Sequence, residues 1–97
     1  MKSIIQADKE HCFICGQNGG YFGIDEHHCY GGGCRGLSEK YGLKVYICHE
    51  KCHLNGVHKN RELDRALKSI VQKIAMRKYN WTEERFREIF GKSYIDE

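Results

Sequence analysis

Ninety-seven residues carry 16 Lys and Arg against 13 Asp and Glu, a formal charge of +3 with the histidines neutral. A chain this short makes one domain and buries only roughly 60–65% of the surface its unfolded form exposes, so a hydrophobic core alone holds it marginally. No apolar run approaches the roughly 18 residues that span a bilayer, and the mild basic excess is compatible with a polyanionic partner without demonstrating one.

The segment Met1 to Gln6 does not resemble a signal peptide, because charge returns at Asp8. The expected location is therefore cytoplasmic. There, cysteines at Cys-x-x-Cys spacing beside histidines point to zinc rather than to disulfides. Residues 1–11 show no firm pattern. Cys12-Phe13-Ile14-Cys15-Gly16 has the spacing of a zinc knuckle, with Gly16 relieving the backbone after the second thiol. Gln17-Asn18-Gly19-Gly20 forms a turn, and Tyr21 to His28 reads as a strand ending on two histidines. From Cys29 to Gly42 no apolar period is visible, and a loop is expected. Leu43 to Cys48 alternates with β-branched and aromatic residues, and so should return as the second strand of an antiparallel hairpin.

Asn60 is a candidate N-cap for a helix to about Tyr79, with Leu63, Ala66, Leu67, Ile70, Val71, Ile74 and Ala75 as its apolar stripe. Asn80-Trp81-Thr82-Glu83 restarts a shorter helix that packs back through Phe86, Ile89 and Phe90 and ends at Gly91. The expected fold is α+β, a single domain over 1–97, with a knuckle and hairpin-plus-helix core over 12–59 and a helical extension over 60–94.

The stretch Cys48-His49-Glu50-Lys51-Cys52-His53-Leu54-Asn55-Gly56-Val57-His58 concentrates thiols and imidazoles beyond anything a core requires. Cys12, Cys15, Cys48 and Cys52 fall as two pairs on either side of the hairpin, a set suited to one tetrahedral structural Zn²⁺, with His49 or His11 as the alternative to one thiol. Zinc binding in small metal-folded peptides is worth about 10–16 kcal/mol. That is comparable to or above the whole net stability of a domain, about 5–15 kcal/mol. Adjacent His27 and His28 point to opposite sides of a strand, so one can ligate an ion while the other addresses a substrate. His53 and His58, five apart, diverge by about 140° in a regular helix, and Gly56 suggests a departure that lets them converge.

Together, Cys12-x-x-Cys15, Glu26-His27-His28, Cys48-x-x-x-Cys52-His53 and His58 resemble the HNH or ββα-metal nucleases. They are similar in particular to small HNH proteins of phages and prophages, through Gly31-Gly32, Arg35, Ser38 to Leu43, Val45 to Cys48, Gly56 to Leu63 and Phe90 to Tyr94. The resemblance covers roughly residues 12–94. It implies a small ββα-metal fold and a DNA endonuclease that leaves 5′-phosphate and 3′-hydroxyl ends. His27, His53 and His58 would be ligands of a catalytic divalent ion (Mg²⁺, Mn²⁺, Ni²⁺ or Zn²⁺), and His28 the general base. It also implies a bacterial host cell, DNA gripped by its backbone with little sequence preference, and phage replication, recombination or packaging proteins as partners. Arg35 in its Gly-rich loop is the candidate phosphate contact.

The chain departs from the pattern at Cys34, where close relatives of the family carry an Asn. A thiol is a weak donor and acceptor, so Asn55 or Asn60 would have to take over. The alternative is a non-catalytic zinc module that binds nucleic acid or a protein. Cys29 is a small buried hydrophobe or, with Cys34, a further metal or redox pair. A disulfide-stabilised structural protein is the third reading.

Overall fold

Two strands, β1 (Ile24–His28) and β2 (Lys44–Cys48), pair antiparallel with His27 opposite Val45 and His28 opposite Lys44. Directly opposed residues share a face, so Asp25, His27, Val45 and Ile47 look one way while Glu26, His28, Lys44 and Tyr46 look the other. Every residue of β2 is buried. Val45 and Ile47 enter the core shared with the helices. The other face is covered by the N-terminal segment, where Gln6 Oε1 accepts from Tyr46 N at 2.8 Å and Phe13 N donates to Tyr46 O at 2.8 Å. In this computed structural model residues 1–95 are described, and Asp96 and Glu97, the end of the expected single domain, lie outside the described residues.

The connection between the strands is not the expected loop. It holds helix α1 (Arg35–Tyr41), whose Leu37 and Tyr41, four apart, both pack on the core. Fully buried Ser38 donates its hydroxyl to Tyr30 O at 2.8 Å and accepts from Tyr30 N at 3.1 Å, locking the helix to the end of the first strand. Gly42 ends it at φ 72°, and a Cβ there would stand 2.5 Å from Lys2 O, so the N-terminal segment can only lie where it does over a glycine.

After β2 the chain enters a π-helical segment over His49–Val57. It continues into α2 (Arg61–Tyr79), capped by the Asn60 side chain accepting from Leu63 N at 3.1 Å. Helix α3 (Glu83–Phe90) is capped in the same way by Thr82. The α2 stripe is narrower than its sequence suggests. Leu67, Val71 and Ala75 are buried at four-residue intervals, but Ile70 is 48% exposed and Gln72 is buried in its place. Phe86 and Phe90 stack at 4.6 Å and close the core over Tyr30. The architecture is α+β, and among the described residues no helix is long and apolar enough to cross a membrane.

Candidate metal centre

The two cysteine pairs meet. The sulfurs of Cys12, Cys15, Cys48 and Cys52 all lie within 4.8 Å of one another, with Cys15 Sγ and Cys48 Sγ 3.9 Å apart. A tetrahedral zinc thiolate with bonds near 2.3 Å requires sulfur separations of about 3.8 Å. The set is therefore close enough to hold an ion such as zinc, and none of the six cysteines is disulfide-bonded. Backbone N–H groups of Ile14 and Cys15 both donate to Cys12 Sγ at 3.4 Å. Burial pushes the Cys12 thiol up, but these donors and the N–H of Cys48 outweigh it and bring the thiol down to about 6. Cys52 moves the opposite way, raised by burial and by hydrogen bonds with Cys48, Cys12 and Cys15. Four sulfurs gathered in so small a space could hold a cation such as zinc. Neither His49 nor His11 replaces a thiol, since the close group is the four sulfurs alone, while His49 clusters with Asp25 and His53 and His11 pairs with Asp8 at 2.7 Å.

On the other side of the hairpin the imidazoles of His27, His53 and His58 form a second group, their nearest nitrogens also within 4.8 Å of one another. The π-helical segment makes this possible. Its hydrogen bonds run from residue i to i+5, as in His58 N to His53 O at 3.3 Å, so residues five apart face the same way. The rings of His53 and His58 stand 4.5 Å apart, with their Nε2 atoms at 2.9 Å. Gly56 is part of the device, because a Cβ there would come within 3.1 Å of the carbonyl of Lys51, five residues back.

His27 is 7% exposed, and its Nε2 is the one buried side-chain nitrogen or oxygen among the described residues with no hydrogen-bond partner. Leaving such an atom unsatisfied costs about 1–3 kcal/mol unless something binds it. Burial first, then the neighbouring His53 and His58, lowers its pKa to about 4. It is therefore held neutral, the form that ligates metals. His53 Nδ1 lies 2.7 Å from Asp25 Oδ2, which makes Nδ1 the proton-bearing nitrogen and turns the Nε2 lone pair toward the other two rings. No family model, curated protein or solved structure matches this chain. The chemistry of the site therefore rests on its own geometry.

His28 occupies the opposite strand face, as alternation requires, yet as the last residue of β1 it lines the same cleft as the triad. Its Nε2 is 2.9 Å from Glu39 Oε1, and Glu39 also takes Lys44 Nζ at 3.1 Å. The terminal amine, His28 and Lys44 together hold the Glu39 carboxyl down at about 2. Asn55 and Asn60 do not stand in for the Asn missing at Cys34. Asn55 Nδ2 donates to Glu50 O at 2.9 Å, Asn60 caps α2, and it is Glu39 that reaches His28.

The cleft encloses about 570 Å³ and includes Arg35, Arg61, Asp64 and Lys68 along with the histidines. Arg35 lines the cleft, but as the first residue of helix α1 and not within the expected loop. Asp25, Glu39 and Arg61 were not singled out from the sequence, although Asp25 sits two before His27 and so on the same strand face. Cys29 lines the cleft as a buried thiol that burial pushes up to about 12, and neither it nor Cys34 belongs to a cluster of three or more candidate metal ligands among the described residues. Cys34 Sγ faces Phe90 O at 3.6 Å instead.

Proposed function

We propose that this chain is a metal-dependent DNA endonuclease of the HNH, ββα-metal type, with a structural zinc at Cys12, Cys15, Cys48 and Cys52. The observation that carries the reading is the orphaned, buried Nε2 of His27 facing the His53 and His58 rings in a cleft that also holds His28 and two arginines. Three imidazole ligands suit Zn²⁺ or Ni²⁺ better than Mg²⁺, which prefers oxygen. A divalent ion held there supplies Lewis acidity that stabilises the crowded phosphate and the departing 3′-oxygen.

The chain's own residues do the rest. Glu39 accepts the Nε2 proton of His28, leaving Nδ1 as the atom that takes a proton from the attacking water. Arg35 and Arg61 neutralise the phosphate on either side of the cleft, and bonding to the backbone rather than to base edges gives little sequence preference. Water adds to phosphorus as His28 takes its proton, the bond to the 3′-oxygen breaks, and that oxygen takes a proton from solvent, giving a 5′-phosphate and a 3′-hydroxyl. Incubation of the purified protein with supercoiled plasmid in Mg²⁺, Mn²⁺, Ni²⁺ or Zn²⁺ should give nicked circles. No nicking in any metal, or undiminished nicking by His28→Ala, rules the reading out.

A second reading, a zinc module that binds nucleic acid without cutting it, is favoured by one observation. The thiol of Cys34, standing where the family pattern has Asn, turns to Phe90 O and offers the cleft no hydrogen bond. DNA binding that survives His28→Ala, with no cleavage by the unaltered protein, would select it.

A further inference from the structure

A second groove of about 340 Å³ opens beside the histidine cleft and shares Arg61, Asp64 and Lys68 with it, so the two adjoin along the first turns of α2 and line up as a channel for an extended ligand. Its far wall is Lys92 and Tyr94, from the segment after α3. That segment is held by a buried amide. Gln72, fully buried on α2, donates to Ser93 Oγ at 3.0 Å and accepts from Tyr94 N at 2.7 Å, while Ser93 Oγ donates to Glu83 Oε2 at 2.7 Å. Apart from a weak bond from Nε2 to Met76 Sδ at 3.6 Å, this buried amide is satisfied by the strap, and so helps fix where Lys92 and Tyr94 stand.

The cations along the channel are unevenly neutralised. Lys68 is paired with Asp64 at 2.8 Å, but among the described residues Arg35, Arg61 and Lys92 have no carboxylate within ion-pair distance. The ammonium groups of Lys68 and Lys92 each sit 5.3 Å from the centre of the Tyr94 ring. Lys68 already shares its charge with Asp64, but Lys92 at the same ring does not, so an anion placed beside Lys92 meets an unshared cation. The acid that intrudes is Glu62, on the groove's edge.

We propose that one strand of duplex DNA leaves the histidine cleft over Arg61 and runs along α2 to the pair of lysines at Tyr94, so that the strapped C-terminal segment is part of the DNA grip. The identity of the ligand rests on the nuclease reading; the path does not follow from it. Phosphate contacts of this kind release counterions, and each one lost lowers the slope of log K against log salt by about 0.9.

The test is fluorescence anisotropy of a labelled 20-base-pair duplex from about 50 to 200 mM salt, without added catalytic metal, with plasmid nicking in Mn²⁺ measured in parallel. Arg61→Ala and Lys92→Gln should each lower the slope by about one, and together by about two. Lys73→Ala and Arg77→Ala remove the same charge from positions about 120° and 160° around α2 from Arg61, and should leave the slope unchanged. Equal losses from both pairs, or none from Arg61 and Lys92, overturn the path, as does failure of the unaltered protein to bind the duplex. An unchanged slope with nicking intact sinks the path and leaves the nuclease standing. A lowered slope in a protein that never nicks does the reverse.

Discussion

Asp25 and His53 are joined by a 2.7 Å hydrogen bond from Nδ1 to Oδ2, and the same carboxylate oxygen takes His49 Nδ1 at 2.6 Å. One carboxylate on β1 thereby fixes the tautomer of an imidazole on the π-helical segment and pins that segment to the hairpin. The His27 and His58 rings have no comparable carboxylate anchor, so Asp25 is the residue whose loss should most disturb the preformed site.

Asp25→Ala should weaken divalent-ion binding at the histidine centre by roughly 10- to 100-fold, the usual cost of removing an outer-sphere partner. Asp25→Asn, which keeps an acceptor, should lose less. Calorimetric titration with Ni²⁺ or Zn²⁺ after the thiolate site is filled reads this directly. Equal affinity in all three proteins would mean that the triad is organised by packing alone.

The thiolate site should behave as a fold-determining element. Cys12 lies in the N-terminal knuckle, Cys48 ends β2, and Cys52 lies in the π-helical segment, so an ion bound there would cross-link three elements that otherwise meet through a few hydrogen bonds. Cys52→Ser, or removal of zinc by a strong chelator, should abolish cooperative unfolding by circular dichroism, because apparent zinc affinities of about 10–16 kcal/mol rival the whole stability of a small domain. A sharp, unshifted melt after chelation would show that the apolar core suffices.

Much of this was legible in the sequence because the signals are chemically singular. Cysteine pairs and adjacent histidines have few competing explanations, and the alternation of Val45 and Ile47 and the period of Leu67, Val71 and Ala75 reflect burial directly. What escaped notice was masked by tertiary context. Helix α1 hides in a Gly-rich stretch, where only Leu37, Tyr41 and the terminal Gly42 betray it. Without that helix nothing brings Glu39 to His28. Gln72 reads as solvent-facing until the strap at Ser93 and Tyr94 is seen, and Ile70, which reads as core, is 48% exposed. The π-helical turn had one clue, Gly56, whose crowding against Lys51 O appears only in three dimensions.

Acid should destabilise the fold through His27. Its pKa is lowered from 6.5 to about 4 by burial and by His53 and His58, so between those values the unfolded chain takes a proton that the folded one refuses. Stability therefore falls as pH drops from 6.5 toward 4 and levels off below. The contribution is on the order of 3 kcal/mol at most, from about 1.4 kcal/mol per pKa unit. Urea denaturation across this range, without added catalytic metal, should show a shallower slope for His27→Asn than for the unaltered protein. Identical slopes would assign the acid sensitivity to other groups.

Glu39 offers the cleanest separation of positioning from binding. Its carboxylate takes His28 Nε2 at 2.9 Å, while Lys44, buried between Glu39 and Glu26 at 3.1 and 3.3 Å, holds the carboxylate in place. If His28 is the base, Glu39→Ala frees the ring to rotate and to swap tautomers. Positioned bases contribute about 10²–10⁴-fold, so nicking should slow by roughly 10- to 100-fold, with metal affinity and the salt slope of DNA binding unaltered. Glu39→Gln retains an acceptor and should recover part of the rate. Nitrogen-15 spectra of the imidazoles give a readout independent of cleavage: His28 should be the Nε2–H tautomer in the unaltered protein and a mixture in Glu39→Ala. A His28 tautomer indifferent to Glu39 would reduce the contact to one more surface ion pair, with Lys44 as its true partner.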